Sequence, residues 1–169
     1  MCKPILLIGM MGCGKSTIGR LLAGRMGLPL IDLDEEIARA AGRSIPEIFA
    51  EEGDAGFRLH ETAALGRALD VGEAVIATGG GIVTREENIR MMREKGVVVW
   101  LCRPLEDMIA DVRQDTRPNL AGDKEERMRT LYAQRAHLYE AAAHLQFDNR
   151  MPPREAAKML EKLLTERKK

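Results

Sequence analysis

Residues 5–20 read ILLIGMMGCGKSTIGR, an apolar run followed by a glycine-rich turn and an amphipathic stretch. Residues 9–17 match the pattern G-x-x-x-x-G-K-[ST]. Glycines let a backbone turn tightly enough for several N–H groups to face one anion, and a following helix adds the positive end of its dipole. We therefore predict a loop that binds the phosphates of ATP. The candidate nucleotide-binding residues in this loop are Gly12, Cys13, Gly14, Lys15, Ser16 and Thr17.

Two side chains of this loop carry the chemistry. Lys15 is placed to bridge the β- and γ-phosphates, and the Ser16 hydroxyl is placed to bind Mg²⁺. The alternative is that residues 9–17 form a glycine-rich turn that binds no ligand. Such a turn could occur anywhere in a chain, so its position between a predicted strand and a predicted helix favours phosphate binding. We interpret Cys13 as a small tolerated side chain rather than a redox switch.

The rest of the chain alternates apolar runs of strand length with amphipathic stretches of helix length. The runs at 5–8, 74–78 and 97–101 are continuously apolar, which is typical of a parallel sheet covered on both faces. We predict an α/β fold with three layers, a doubly wound parallel sheet of five strands as in P-loop NTPases and nucleoside monophosphate kinases. The two remaining strands are expected at 30–32 and 145–147. Helices are expected at 16–26, 34–41, from 44 onward, 57–69, 86–95, 105–112, 125–143 and 153–167.

Length and composition limit the remaining possibilities. The 169 residues fit one domain over 1–169, and 26 basic residues balance 26 acidic ones, so nothing favours nucleic-acid or membrane partners. No apolar run approaches the ~20 residues of a membrane span. The spacing of Cys2, Cys13 and Cys102 fits neither a disulfide framework nor a zinc site. We expect a cytoplasmic enzyme that acts as a monomer.

Other classes of P-loop protein fit less well. A GTPase needs D-x-x-G and N-K-x-D motifs, and the sequence contains neither. Motor and AAA-type ATPases place their acidic strand far downstream of the loop, whereas Leu30-Ile31-Asp32-Leu33-Asp34 follows it closely. The spacing favours a compact metabolite or nucleotide kinase.

Six ordered motifs resemble the shikimate kinase family over nearly the whole chain. They are G-x-x-G-x-G-K-S-T-x-G-R at 9–20, D-x-D at 32–34, F-R-x-x-E at 57–61, G-G-G at 79–81, R-P at 117–118 and R-x-x-L-Y at 135–139. The resemblance implies transfer of the γ-phosphoryl group of ATP, with Mg²⁺, to the 3-hydroxyl of shikimate. It places the reaction in chorismate and aromatic amino acid biosynthesis.

The resemblance also implies an acceptor site, with residues 33–61 as an acceptor-binding helical segment. Guanidinium groups hold a carboxylate best, so Arg58 and Arg135 are assigned to the carboxylate of shikimate. Glu61, one helical turn from Arg58, is placed to orient it. Surface ion pairing is the alternative for both arginines. The full candidate set is Asp34, Arg58, Glu61, Gly79, Gly80, Gly81 and Arg135.

The acidic pair divides the remaining roles. Asp34 resembles the residue that positions the acceptor hydroxyl and takes its proton, and Asp32 resembles the residue that holds Mg²⁺ through water. If residues 30–34 are extended, the D-x-D spacing turns both carboxylates to the same face. Helix capping is the alternative for this pair.

A lid is expected at 113–124, because this segment is polar and carries Pro118 and Gly122. Arg117 resembles the lid cation that closes onto the transferring phosphoryl group. Arg113 and Pro153 resemble the parts of the family that sandwich adenine.

The sequence departs from the family pattern at three positions near the site. Asn119 stands where leucine is common, His137 where proline is common, and Asp54 where glutamate is usual. They bear on lid closure and turnover more than on the reaction. The alternatives are a kinase of gluconate or another anionic polyol, a nucleoside monophosphate kinase, and an ATP-binding regulator that does not catalyse.

Overall fold

The computed structural model describes residues 3–113 and 121–167 of the chain. In this part of the chain, five parallel strands form one sheet, as predicted. The structure places the strands in the order β2-β3-β1-β4-β5. All four residues of β1 are buried. Because successive side chains of a strand point to opposite faces, both faces of the sheet must be covered. The strands are β1 (Ile5–Ile8), β2 (Leu30–Asp32), β3 (Val75–Ala77), β4 (Val97–Cys102) and β5 (Leu145–Asp148).

Helices follow the strands and cover the sheet. Helix α1 packs on α7 and against β1 and β3, while α4 and α6 contact β4. No helix in the described ranges combines the length and the apolar character needed to cross a bilayer. The helices are α1 (Lys15–Met26), α2 (Leu33–Ala41), α3 (Ile45–Asp70), α4 (Glu86–Lys95), α5 (Leu105–Arg113), α6 (Ala121–Ala142) and α7 (Pro153–Glu166), with a 3-10 turn at Ile82–Thr84.

Two predicted boundaries differ from the structure. The helix opening at Ser44 and the helix predicted at 57–69 form one element, α3, which bends at Gly53 where φ is 69° and ψ is −172°. The helix predicted at 125–143 begins earlier, because α6 starts at Ala121. The lid predicted at 113–124 stays a prediction. Residues 114–120, with Arg117 and Asn119, lie outside the described residues.

Candidate active site

The phosphate-binding loop follows the carboxyl end of β1 and opens α1, as the sequence predicts. Gly9, Gly12 and Gly14 adopt φ angles of 144°, 79° and 101°, which favour glycine. A Cβ atom at Gly14 would also lie 2.8 Å from the Asn149 amide nitrogen. Both the backbone conformation and the space around the loop therefore require glycine at this position.

Lys15 is buried, and its ammonium is held by the loop itself. Its Nζ donates to the carbonyl oxygens of Gly9 at 2.7 Å and Met10 at 2.8 Å. Cys13 is also buried, with its sulfur 3.7 Å from the same nitrogen. The lysine charge thus lies at the loop, where a nucleotide phosphate can replace the carbonyl oxygens as its partner.

Asp32 lies where β2 meets α2. Its carboxylate accepts hydrogen bonds from the backbone N–H groups of Asp34 at 3.0 Å and Glu35 at 3.4 Å, and so caps α2. The strand therefore ends at Asp32, as predicted, and the condition for the same-face argument, an extended segment through Asp34, is not met. Asp34 instead projects from the first turn of α2.

Both carboxylates nevertheless line one cleft of about 320 Å³, together with Lys15 and Ser16. The Ser16 hydroxyl donates to the second carboxylate oxygen of Asp32 at 3.3 Å. A hydroxyl oxygen beside a carboxylate is a donor set that suits Mg²⁺. Among the described residues, no group of three or more His, Cys, Asp or Glu is placed to hold a metal ion.

The environment of Asp34 disfavours its charge. Asp34 is exposed as a residue, but neighbouring protein atoms displace part of the water around its carboxyl and raise its pKa, and the nearby charge of Asp32 raises it further. The positive charges of Lys15 and Arg58 act in the opposite direction. These four charged groups therefore lie within electrostatic reach of one another.

Arg58 projects from α3 towards the glycine loop, residues 79–81. Its side chain is 11% exposed and is held by Glu61 at 2.8 Å and Asp54 at 3.2 Å. A Cβ atom at Gly81 would collide with the guanidinium of Arg58. Arg58 is therefore a partly buried group facing the loop, rather than a surface arginine.

Glu61 lies behind this loop and is 1% exposed. One carboxylate oxygen pairs with Arg58, and the other has no hydrogen-bond partner among the described residues. A Cβ atom at Gly79 would lie 3.0 Å from that second oxygen and 3.3 Å from a carboxylate oxygen of Asp34. Burial raises the pKa of Glu61, Arg58 lowers it, Asp34 raises it and Arg135 lowers it.

Arg135 reaches the same loop from α6. Its Nη1 lies 3.7 Å from the position that a Cβ atom at Gly80 would occupy. One turn further along α6, the hydroxyl of Tyr139 donates to the carbonyl oxygen of Gly80 at 2.5 Å. Burial raises the pKa of Tyr139 to about 12, so the phenol keeps its proton and remains a donor.

A second cleft, of about 240 Å³, lies on the other side of the phosphate loop and includes Thr17 and Pro153. Asn149, which the sequence analysis missed, donates from its side chain to the Cys13 carbonyl oxygen at 2.7 Å and so ties the end of β5 to the loop. The side chain of Arg113 lies outside the description. This hydrogen bond joins residues that are 136 positions apart in the sequence, so no local sequence pattern predicts it.

Comparison with known proteins identifies a family that fits the phosphate loop and the cleft beside it. The family model "Shikimate kinase" matches residues 11–165. The chain belongs to the shikimate kinase family. The resemblance and the P-loop kinase fold predicted from the sequence are thereby confirmed.

Relatives among the shikimate kinases span nearly the whole chain. The shikimate kinase of Symbiobacterium thermophilum is 42% identical over 165 residues, covering 94% of this chain and 95% of that protein. That of Chromohalobacter salexigens is 46% identical over 143 residues, covering 83% and 79%. The structure of shikimate kinase from Acinetobacter baumannii in complex with shikimate has a TM-score of 0.91 and 36% identity, covering 99% of this chain and 96% of that one.

Proposed function

We propose that this chain transfers the γ-phosphoryl group of ATP to the 3-hydroxyl of shikimate, giving ADP and 3-phosphoshikimate for chorismate and aromatic amino acid biosynthesis. One observation carries the proposal: guanidinium groups from two different helices, Arg58 and Arg135, face one glycine loop beside Asp34. A small ring with one carboxylate and several hydroxyls matches such a site, because arginines bind the carboxylate and Asp34 binds a hydroxyl. The family relative solved with shikimate supports the choice of acceptor.

The phosphate loop and Asp34 would perform the transfer together. Lys15 would exchange the carbonyl oxygens of Gly9 and Met10 for the β- and γ-phosphates and stabilise the charge that develops on transfer. Asp34 would orient the 3-hydroxyl, and its raised pKa makes it a better proton acceptor than an ordinary aspartate as the new O–P bond forms.

Mg²⁺ would be held by Ser16 and Asp32, and it would neutralise phosphate charge and hold the phosphates in line. The adjacency of the Ser16 hydroxyl and the Asp32 carboxylate supports this assignment. By family resemblance, Arg117 would add a cation to the transferring group, and Arg113 and Pro153 would contact adenine. Of these three side chains, only that of Pro153 is described, and it lines the second cleft.

The setting of the reaction is also a proposal. We propose a monomer, because ATP and acceptor groups all come from this one chain. Consumption of ATP fits the cytoplasm, and so do the two described cysteines, Cys13 and Cys102, which are free thiols.

A coupled assay of ADP release tests the function. Shikimate, gluconate and nucleoside monophosphates should be compared as acceptors at equal concentration, with Mg²⁺ present and then removed by a chelator. We expect rapid, Mg²⁺-dependent release of ADP when shikimate is the acceptor, and not with gluconate or the nucleoside monophosphates. Faster turnover of gluconate or of a nucleotide would reassign the acceptor. A protein that binds ADP but releases none in response to any acceptor in the assay would be a regulator rather than an enzyme.

A further inference from the structure

Arg103 lies directly after β4, in the connection to α5, and the family motifs give it no role. Its Nη1 donates to the carbonyl oxygen of Gly12 at 3.0 Å and to a carboxylate oxygen of Asp111 at 2.5 Å. The side chain is 25% exposed. Arg103 therefore places a partly buried guanidinium against the phosphate-binding loop, 91 residues away in sequence from Gly12.

The surroundings of Arg103 resemble a binding site for a base more than one for phosphate. Arg103 lines the second cleft, which shares Gly12 and Gly14 with the first and carries the apolar side chains of Ile18, Met151 and Pro153. The other arginine of this cleft, Arg150, is paired with Asp148. The first cleft, by contrast, is lined by charged side chains, those of Lys15, Asp32 and Asp34. An ATP molecule whose phosphates occupy the first cleft would extend its nucleoside into the second.

Asp111 determines how Arg103 can act there. Asp111 and the Gly12 carbonyl both accept from Nη1, so that nitrogen of the guanidinium is already occupied and is not free for a phosphate oxygen. The planar face of a guanidinium still stacks on an aromatic ring, which a lysine ammonium does not reproduce. Holding Arg103 in place before the nucleotide arrives also reduces the entropy lost on binding.

We propose that Arg103 is a nucleotide-binding residue of this chain, and that its guanidinium contacts the nucleoside half of ATP. This inference rests on the proposed function, because it requires ATP as the donor. It adds a nucleoside-binding residue whose position the structure describes, separate from Arg113 and Pro153, which family resemblance assigns to adenine.

The test is titration calorimetry with ADP and with pyrophosphate on the wild-type protein, Arg103→Ala and Arg103→Lys. Both variants should bind ADP about 3- to 30-fold more weakly and bind pyrophosphate with unchanged affinity. Arg25→Ala is the matched control, because it removes another arginine with an acidic partner, Glu161, outside both clefts. It should bind both probes like the wild type.

Each result has a definite meaning. Unchanged ADP affinity in Arg103→Ala would overturn the proposal, and equal losses for ADP and pyrophosphate would overturn the assignment to the nucleoside. Full retention by Arg103→Lys would also overturn it, since charge alone would then suffice. If the wild-type protein itself fails to bind ADP, the proposed function fails instead. The unfolding temperature of each variant shows whether Arg103→Ala is folded, and Arg103→Lys keeps the test available if it is not.

Discussion

The phosphate loop and the acceptor face, the two halves of the site, depend on different kinds of structure. The phosphate loop is one contiguous segment whose shape depends on backbone conformation, with glycines at positive φ and a lysine bonded to the loop's own carbonyl oxygens. The acceptor face is assembled from α2, α3, α6 and the glycine loop, and charged side chains shape it, of which Arg58 and Glu61 have little solvent exposure. Damage to the first half should therefore come through geometry, and damage to the second through lost charge. Substitutions that separate ATP binding from acceptor binding test this division.

The largest expected effect follows from Asp34→Asn. An amide cannot accept the acceptor proton, so kcat should fall by about 10²- to 10⁴-fold. ADP affinity should stay nearly unchanged, because the phosphate loop is intact. Steady-state kinetics and calorimetry measure the two quantities. Glu35→Gln, at the next and exposed position of α2, is the control and should keep normal turnover. A near-normal rate in Asp34→Asn would remove Asp34 from the mechanism.

The arginine substitutions come next. Arg58→Ala and Arg135→Ala should each weaken acceptor binding by about 2–5 kcal/mol, with ADP affinity retained. Arg58→Ala should also lower the unfolding temperature, because it leaves the buried carboxylate of Glu61 without its partner. Arg67→Ala, exposed on the same helix as Arg58, is the control. Acceptor titrations that match the wild type would contradict the two-arginine site.

A glycine substitution tests the other half. Gly14→Ala should destabilise the fold by about 1–2 kcal/mol and weaken ADP binding, because φ is 101° and the new methyl group meets Asn149. Acceptor binding measured without nucleotide should be retained. Gly24→Ala, within α1 with no atom within 4 Å of the added Cβ, should instead be neutral or stabilising. Chemical denaturation and calorimetry on both variants make the comparison, and equal behaviour of the two would count against a geometric role for Gly14.

The smallest effect is a displacement of the pH profile. Turnover needs the Asp34 carboxylate, and its pKa is raised above the ordinary value of 3.8, so acidification should abolish activity earlier than for an ordinary aspartate. Arg58 opposes that rise, so Arg58→Gln should move the acidic limb to still higher pH. The profile of kcat/KM for the acceptor measures both. An acidic limb that stays in place in the variant would show that Arg58 exerts no field on Asp34.

Much of this molecule could be predicted from its sequence, for a physical reason. The phosphate loop and the parallel sheet depend on contiguous patterns, the glycine spacing at 9–17 and the uninterrupted apolar runs of β1, β3 and β4. Residues 44–47 also have the S-x-x-E spacing of a capping box, and in the structure Ser44 and Glu47 form one at the start of α3.

The errors and omissions arise where distant segments meet or where two local structures compete. The predicted strand at 30–32 is correct, but the Asp32 carboxylate caps α2, so Asp32 and Asp34 do not share one face of a strand, the arrangement that the D-x-D spacing would give in an extended segment. Tyr139 reaches Gly80 across 59 positions, and Arg103 reaches Gly12 across 91. Residue pairs so far apart in sequence meet only in the folded chain, so neither periodicity nor motif spacing predicts their contacts.

The hydroxyl of Tyr139 gives α6 a mechanical property. The helix is 22 residues long, or roughly 33 Å, and it carries Arg135 one turn before the phenol that is bonded to Gly80. Nearer its amino end the same helix is held to α5 by the ion pair of Arg129 with Glu106. Because Arg135 lies beside the Tyr139 anchor, a displacement of the amino half of α6 would carry α5 with it and would move Arg135 least.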